Sequence, residues 1–383
     1  MFAKRVKEIE PFRVVEVLDR AKALEAEGRD IIHLEAGEPD FTTAQPIIEA
    51  GQAALGRGET YYSQAAGIPE LRQAISNHYK LDYGLSIAPE RIMVTPGASG
   101  ALLLIAGLLT NPGDGMLMAD PGYPCNRHFL RLVEGEGQLV PVGPEDRYQL
   151  KASMAADHWK PNTIGVMVAS PANPTGEILT REELSDLYDL CASKNGHLVV
   201  DEIYHGLTYG EGAPSILEIT DQAFVINSFS KYFGMTGWRL GWLVAPEHAV
   251  AEMEKLAQNL FISMSTMGQH AALAAFEPET RKILDARREE FAARRDYLLP
   301  ELRRLGFDIP NEPAGALYIY AGISKFSNDG QQFCMDMLEN HGVAITPGVD
   351  FGHHRSQEYV RFAYTTSIDR LKEAVRRMEA VLC

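Results

Sequence analysis

The sequence is poor in cysteine and has none of the usual cysteine motifs. It contains four cysteines in 383 residues, and no two have C-x-x-C spacing. These are too few for a disulfide framework and do not match common zinc motifs. We therefore predict reduced thiols and no metal site. The cysteines are Cys125, Cys191, Cys334 and Cys383.

Basic residues and long apolar runs are also scarce. The chain has 36 Lys and Arg against 52 Asp and Glu, a formal net charge of -16. Such a chain repels nucleic-acid backbones and acidic membrane surfaces, so we expect neither as a partner. The longest apolar stretch, 101–109, is too short to cross a bilayer, and the amino-terminal residues lack a signal-peptide core. These features predict a cytoplasmic protein.

From residue 91 the chain alternates short apolar runs with helical segments, which is typical of a largely parallel α/β sheet. The predicted strands are 92–94, 116–118, 166–168, 198–200 and 224–226. In open sheets of this kind, ligands bind beyond the carboxyl ends of the strands. We therefore expect one site built from the residues that follow these five ends, namely Gly97-Ala98-Ser99, Tyr123, Asn173, Asp201 and Lys231.

The flanking segments indicate a second, smaller domain. Apolar spacing predicts a helix over 6–28, followed by a strand at 31–34. Further helices are expected at 46–55, 69–83, 277–305, 330–340 and 368–382, and further strands at 317–320, 343–345 and 359–363. We predict a large α/β domain over 45–290, with a mostly parallel sheet between helices. Residues 1–44 and 291–383 would form a small α+β domain.

Lys231 directly follows a strand that is predicted to be buried. A desolvated lysine has a lowered pKa, and its neutral amine can form a Schiff base with a carbonyl. Ser228, Ser230 and Arg239 are donors suited to a phosphate, and the stretch 97–99 joins a strand to a helix start, where backbone N–H groups favour anions. Together they indicate pyridoxal 5'-phosphate (PLP), whereas Lys231 alone would fit a solvated loop.

Three more residues fit the same cofactor. Asp201 follows an apolar run, where a carboxylate needs a cationic partner: the protonated ring nitrogen of PLP or, alternatively, a structural salt bridge or helix cap. Tyr204 and Asn173 could donate to the ring phenolate oxygen, although Asn before Pro is also common in turns. Tyr123 could stack on the ring or simply pack as an aromatic side chain.

Arg361 lies in the middle of a predicted strand, between apolar residues. A buried arginine needs an anion, and its planar fork matches a substrate α-carboxylate, to which the backbone of Gly37 could also donate. A structural ion pair is the alternative. We interpret His353-His354 as loop surface, because adjacent side chains point apart and no third metal ligand is nearby.

Five motifs resemble, in order and spacing, those of the class I/II PLP-dependent aminotransferases of fold type I, in the aspartate-aminotransferase-like group. The motifs are Gly37-Glu38-Pro39-Asp40-Phe41, Ala66-Gly67-Ile68-Pro69-Glu70-Leu71-Arg72, Asn173-Pro174-Thr175-Gly176, Asp201-Glu202-Ile203-Tyr204, and Ser230-Lys231 with Gly237-Trp238-Arg239. The resemblance covers essentially the whole chain. It implies the corresponding fold, cofactor and two-half-reaction transfer of an amino group.

The resemblance also implies roles for individual residues. Lys231 would carry the cofactor and act as the general base, and Asp201 would pair with the pyridine nitrogen. Ser99, Ser228 or Ser230, and Arg239 would hold the phosphate, Asn173 and Tyr204 would meet the phenolate oxygen, and Arg361 would hold the substrate carboxylate. A homodimer with shared sites is implied, with Tyr62 of one subunit reaching the phosphate bound by the other.

The substrate side chain is less well defined by the sequence. The apolar stretch 260–263 favours a neutral, aliphatic or aromatic L-α-amino acid as donor to a 2-oxo acid. An aspartate-type enzyme would need a distal cation, for which Arg13 is the only amino-terminal candidate. A β-eliminating C–S lyase on the same scaffold is a further alternative. A ligand sensor in a transcription regulator is disfavoured because the motifs begin within the first 40 residues.

Overall fold

The computed structural model describes residues 2–382, in which a central seven-stranded sheet and two small sheets are surrounded by helices. The strands are β1 Ile32–His33, β2 Ile92–Thr95, β3 Gly115–Asp120, β4 Glu136–Pro141, β5 Thr163–Ala169, β6 His197–Asp201, β7 Phe224–Ser228, β8 Gly241–Val244, β9 Tyr318–Gly322, β10 Val343–Ala344, β11 Thr346–Pro347 and β12 Tyr359–Ala363. The helices are α1 Arg13–Ala26, α2 Gln45–Gly56, α3 Pro69–Tyr83, α4 Gly97–Leu109, α5 Cys125–Leu132, α6 Ala152–Asp157, α7 Arg181–Ser193, α8 Val250–Leu260, α9 Thr266–Leu273, α10 Pro278–Leu305, α11 Gly330–His341 and α12 Ile368–Leu382.

The central sheet has the strand order β2-β8-β7-β6-β5-β3-β4. All neighbours are parallel except β8, which is antiparallel to both β2 and β7. The five predicted strands are therefore confirmed, and their carboxyl ends share one edge. The sequence did not predict β4, whose first residues are polar, or β8, which is four residues long and follows a glycine-containing loop.

Alternate residues of the central strands pack on opposite faces of the sheet. Leu198 and Val200 of β6 belong to one hydrophobic cluster, whereas Val199 between them belongs to another. The side-chain period of two in a strand produces this division. Because helices cover both faces, the central strands are apolar throughout, which explains why the sequence shows continuous apolar runs there.

The two smaller sheets combine amino-terminal and carboxyl-terminal segments. Strand β1 pairs in parallel with β10, and β12 lies between β11 and β9 in an antiparallel sheet. The helix predicted over 6–28 was too long, since α1 begins only at Arg13 after a separate 3-10 turn at Lys4–Glu8. Pro11 accounts for this break, because proline disfavours helical conformation in the residue before it.

The proposed domain boundary near residue 290 lies inside α10, a continuous helix of 28 residues. Pro278 occupies its first turn, and Gly306 ends it with a φ of 106°. The largest hydrophobic cluster contains residues from both proposed domains, such as Ile32, Leu198 and Phe362. The division into 45–290 and the two flanking segments therefore stays a prediction.

Three further observations concern the described part of the chain. Cys125, Cys191 and Cys334 are free thiols, and Cys383 lies outside the described residues. No group of three or more His, Cys, Asp or Glu side chains between residues 2 and 382 is arranged to hold a metal ion. None of the helices in this range combines the length and apolar character that a membrane span requires.

Candidate active site

A cavity of about 270 Å³ lies at the carboxyl edge of the central sheet. Most of the residues predicted for the site line it, and they come from widely separated parts of the chain. They are Gly37, Ala98, Ser99, Tyr123, Asn173, Asp201, Tyr204, Ser228, Ser230, Lys231, Arg239 and Arg361. Gly97 and Tyr62 are not among its lining residues.

Lys231 enters the cavity from the turn that follows β7. Its Nζ donates a hydrogen bond to the carbonyl oxygen of Gly37 at 2.7 Å and lies 5.8 Å from the centre of the Tyr204 ring. No carboxylate between residues 2 and 382 lies within 4.0 Å of this Nζ. The amine is thus held by a neutral acceptor. Its reaction with a carbonyl compound therefore does not have to break an ion pair.

Asp201 ends β6 and is almost completely buried. Burial raises the pKa of its carboxyl to about 6, while the backbone N–H of Ile203, 3.1 Å from Oδ1, and the charge of Lys231 act in the opposite direction. Within the described residues Asp201 forms no salt bridge, so the structural ion pair considered from the sequence is not found. A cationic ligand group would compensate this buried carboxylate.

The start of α4 and Arg239 form a cradle for an anion. A Cβ at position 97 would lie 2.6 Å from Nη2 of Arg239, so the glycine allows the guanidinium to lie against the helix terminus. Gly97 also has a φ of +69°, which favours glycine. Ser99 lines the cavity beside it. Backbone N–H groups, a hydroxyl and a guanidinium together suit a phosphate.

Arg361 is buried beneath the cavity at the centre of β12. Its Nη1 donates to Oδ1 of Asn173 at 2.9 Å, and its Nη2 donates to the Glu35 carbonyl oxygen at 2.5 Å. The guanidinium lies 4.2 Å and 4.8 Å from the ring centres of Tyr318 and Phe351. No described carboxylate pairs with it, and Nε has no hydrogen-bond partner. This charge is therefore available for an anionic ligand.

Sequence reasoning missed Tyr318, which lines the cavity from β9. Its hydroxyl lies 2.6 Å from the hydroxyl of Tyr204, and its ring covers the Arg361 guanidinium. Burial raises the pKa of Tyr204 well above its usual value. No local signal identifies Tyr318, because its neighbours in the site are distant in sequence and only the sheet topology brings them together.

Residues 35–37 present three successive carbonyl oxygens to the groups around the site. Those of Glu35, Ala36 and Gly37 accept hydrogen bonds from Arg361, Thr365 and Lys231, respectively. The backbone of this segment therefore fixes the two cations that the sequence singled out most strongly.

Substitution of Gly37 tests this close packing. In Gly37→Ala the new Cβ would lie 2.0 Å from the Tyr318 hydroxyl, so either the tyrosine or the segment must move. We expect a loss of about 1–3 kcal/mol in the free energy of unfolding, the usual cost of overpacking, together with lower activity. Urea unfolding measures the first quantity. The double variant with Tyr318→Phe, which removes the closest atom, should recover part of the loss; no recovery would contradict this explanation.

His33 supports the same segment through an ion pair with buried Glu35. The distance from Nδ1 to Glu35 Oε1 is 2.7 Å, and that from Nε2 to Glu25 Oε1 is 3.2 Å. The hydrogen bond to Glu35 raises the pKa of His33 to about 9, above its usual 6.5.

This raised pKa predicts a pH dependence of stability. The stabilisation from His33 is fully present below about pH 6.5 and is lost as the pH rises through about 9. His33→Gln should therefore lower the free energy of unfolding more at about pH 6 than at about pH 10. Urea unfolding at both pH values measures the difference, with His158→Gln at the exposed surface as control. An equal effect at both values would contradict the prediction.

An apolar wall of the cavity is formed at the start of α1 by Phe12, which precedes the helix, and by Val14, Val15 and Leu18 in its first two turns. Arg13, the amino-terminal candidate for a distal cation, does not line the cavity. Its guanidinium instead pairs with Glu16 at 2.9 Å on the surface.

Tyr62 and the pair His353-His354 lie on the protein surface. Tyr62 is 79% exposed, so its contact with the phosphate site of a second subunit stays a prediction. His353 and His354 are exposed loop residues, as interpreted, and their backbone N–H groups donate to the Asp120 carboxylate at 3.0 and 3.1 Å.

Comparison with known proteins identifies the class. The chain belongs to the aminotransferase class I and II family, whose model matches residues 29–378. The fold predicted from the resemblance is therefore confirmed, and the protein is an aminotransferase.

Individual relatives carry different activities in their names. The chain is 39% identical to a valine–pyruvate aminotransferase of Mycobacterium tuberculosis, over 97% of this chain and 96% of the relative. It is 33% identical to an aspartate aminotransferase of Thermotoga maritima, over 100% and 99%. A crystal structure of an aminotransferase from Mycobacterium tuberculosis superposes with a TM-score of 0.96 at 38% identity, covering 100% of this chain and 99% of that one.

Proposed function

We propose that this aminotransferase uses PLP to transfer the amino group of a neutral, aliphatic or aromatic L-α-amino acid to a 2-oxo acid. The observation that carries the substrate class is the distribution of charge around the cavity. The cations that line it are Lys231, Arg239 and Arg361, and each is needed for the cofactor or the α-carboxylate. None of these is left for a second carboxylate on the substrate.

The residues around the cavity fit PLP, which the family uses. Lys231 would attach its aldehyde carbon, and Asp201 would hold the protonated ring nitrogen. The phosphate would lie in the cradle of α4, with hydroxyl donors from Ser99, Ser228 or Ser230 and a charge from Arg239. Tyr204 and Asn173 would meet the phenolate oxygen, and Tyr123 would cover the ring. When bound, PLP supplies an electron sink for negative charge at the substrate α-carbon.

The chain's own residues then bind the amino acid and move its proton. Arg361 holds the α-carboxylate with Asn173 beside it, 2.9 Å away, which orients the Cα–H bond. With its amine free, Lys231 would take the α-proton as general base. Buried Tyr204 and Tyr318 close the cavity floor and exclude water from that proton.

The apolar wall of α1 supports a neutral substrate. A side chain that extends from the α-carbon towards Phe12, Val14, Val15 and Leu18 gains about 0.8 kcal/mol per buried methylene. A second carboxylate in the same place would lose hydration without a cation from this chain. The name of the Mycobacterium tuberculosis relative gives that protein a neutral donor as well.

The proposal also includes a homodimer in the cytoplasm, with Tyr62 contributing to the neighbouring site. The exposure of Tyr61 and Tyr62, at 84% and 79%, supports a surface that a second copy could cover. Sedimentation analysis would give the mass, and Tyr62→Ala should weaken PLP binding in a dimer.

The decisive experiment measures donor specificity of the PLP-loaded protein. Single amino acids are incubated with pyruvate or 2-oxoglutarate, and the 2-oxo acid formed is identified by mass spectrometry. We expect valine, leucine or phenylalanine to exceed aspartate in kcat/KM by at least about tenfold, the cost of roughly 1.4 kcal/mol for an unpaired charge. A preference for aspartate would favour a dicarboxylate enzyme. Release of ammonia and pyruvate from a β-substituted substrate would favour a lyase.

A further inference from the structure

We propose that Asp350 is a positioning residue that holds the first turn of α1 against the cavity and so determines which substrate side chains are accepted. This inference rests on the proposed function. It identifies an additional residue for specificity, one that lies outside the cavity and touches neither substrate nor cofactor.

Asp350 caps α1 from a distant part of the chain. Its Oδ1 accepts a hydrogen bond from the backbone N–H of Arg13 at 2.7 Å, and its Oδ2 accepts one from that of Val14 at 3.3 Å. The residue that precedes the helix, Phe12, provides no side-chain cap. The first N–H groups of a helix lack internal partners and favour negative charge, so this carboxylate satisfies both needs.

The Asp350 carboxylate has no described hydrogen-bond partner other than α1. Asp350 is only 3% exposed, and it has no salt-bridge partner within 4.0 Å among residues 2–382. Its described hydrogen bonds are the two to α1. Burial raises the pKa of this carboxyl, and the two α1 donors, together with the charges of Arg361 and Arg127, act in the opposite direction. Because the α1 donors are its only described hydrogen bonds, α1 and Asp350 hold each other in place.

The helix turn that Asp350 holds is the one that faces the substrate. Phe12, Val14, Val15 and Leu18 line the cavity, and the Phe12 ring packs edge-on against Tyr123 with 6.2 Å between ring centres. Loss of the cap would let this turn fray or shift. The apolar wall would then contact a large side chain less closely.

The neighbouring residue links this wall to the carboxylate anchor. The Phe351 ring lies 4.8 Å from the Arg361 guanidinium, and the Phe351 carbonyl oxygen accepts a hydrogen bond from Gly122 at 2.9 Å. Asp350 and Phe351 therefore fix, from adjacent positions, the two places where the substrate is held. The separation between these places determines which side chains fit.

The test compares a large and a small substrate in Asp350→Ala and Asp350→Asn. Loss of a helix cap lowers stability by an amount equivalent to a factor of about 2–30 in an equilibrium constant. We therefore expect the ratio of kcat/KM for leucine to that for alanine to fall by this factor in Asp350→Ala. Asp350→Asn keeps one oxygen acceptor and should fall less. The value for alanine, whose methyl group offers little apolar surface to this wall, should change little.

Asp329→Ala is the matched control. Asp329 caps α11 by accepting a hydrogen bond from the N–H of Gln332 at 3.0 Å, and it does not line the cavity. This variant should lose stability without changing the leucine-to-alanine ratio. An unchanged ratio in folded Asp350→Ala, or an equal loss for both amino acids, would overturn the proposal.

Two further measurements apply if Asp350→Ala does not fold or if the proposed function fails. If Asp350→Ala does not fold, Asp350→Asn is combined with Val14→Ala, and the two effects on the ratio should be less than multiplicative; full multiplicativity would overturn the proposal. If the wild-type protein uses a neutral amino acid other than these two as donor, that donor replaces leucine in the ratio. If it uses no neutral amino acid as donor, the proposed function has failed. The cap is then tested through amide hydrogen exchange at Arg13 and Val14, whose protection should fall about 2–30-fold in Asp350→Asn. Unchanged protection would overturn it.

Discussion

Lys231→Ala is expected to lose transamination by more than the roughly 10²–10⁴-fold that removal of a general base causes. The loss should be larger because, in the proposed function, the same amine would also attach the cofactor, so the variant would lose two functions at once. Among residues 2–382 no carboxylate forms an ion pair with this amine, which instead donates to the neutral Gly37 carbonyl oxygen at 2.7 Å. Single-turnover formation of a 2-oxo acid from a saturating amino acid measures the effect.

The control for this prediction is Lys255→Ala. Lys255 is an exposed residue of α8 that pairs with Glu252, far from the cavity lining. Its removal should leave turnover and the visible absorption of the bound cofactor unchanged. Transamination near the wild-type rate in Lys231→Ala would refute the assignment of the catalytic amine, whatever the substrate.

Arg361→Ala is expected to lower kcat/KM by roughly 30- to 4,000-fold, which corresponds to about 2–5 kcal/mol for breaking a buried charge pair. Arg361→Lys keeps the charge but not the planar fork that also holds Asn173 and the Glu35 carbonyl, so it should recover only part of the activity. Steady-state kinetics with the preferred amino acid measures both variants.

A substrate without a carboxylate distinguishes a loss of carboxylate binding from a general loss of protein structure. The amine formed by decarboxylation of the preferred amino acid cannot use Arg361, so its slow reaction should be much less sensitive to the substitution. Arg370→Ala, at an exposed ion pair with Asp30, is the surface control. Equal losses for the amino acid and the amine would mean that Arg361 supports the structure rather than the carboxylate.

Much of the site was predictable because it follows one local rule. Asp201 and Lys231 come directly after buried strands, so continuous apolar runs identified their positions without knowledge of the fold. The motifs around them are also local in sequence. The shared carboxyl edge of the sheet then brought these separate stretches together as expected.

The missed features depend on contacts between distant residues. Tyr204 and Tyr318 are 114 positions apart, and Arg13 and Asp350 are 337 apart. Nothing in the neighbourhood of Tyr318 or Asp350 distinguishes it from an ordinary buried tyrosine or a loop aspartate. The start of α1 was placed too early because the apolar positions that predicted the helix, from Val14 to Leu24, do not mark its first residue, and Pro11 keeps the preceding backbone out of it.

The antiparallel strand β8 has a consequence for synthesis on the ribosome. Ile92 of β2 pairs with Val244 of β8, so β2 has no partner in the sheet until 152 more residues have been added. At about 5–20 residues per second this takes roughly 8–30 s. During that time β2 lacks its neighbour in the sheet, and the two ends of the anion cradle, Gly97 and Arg239, are still apart. The cavity is therefore completed late, after most of the parallel strands have emerged.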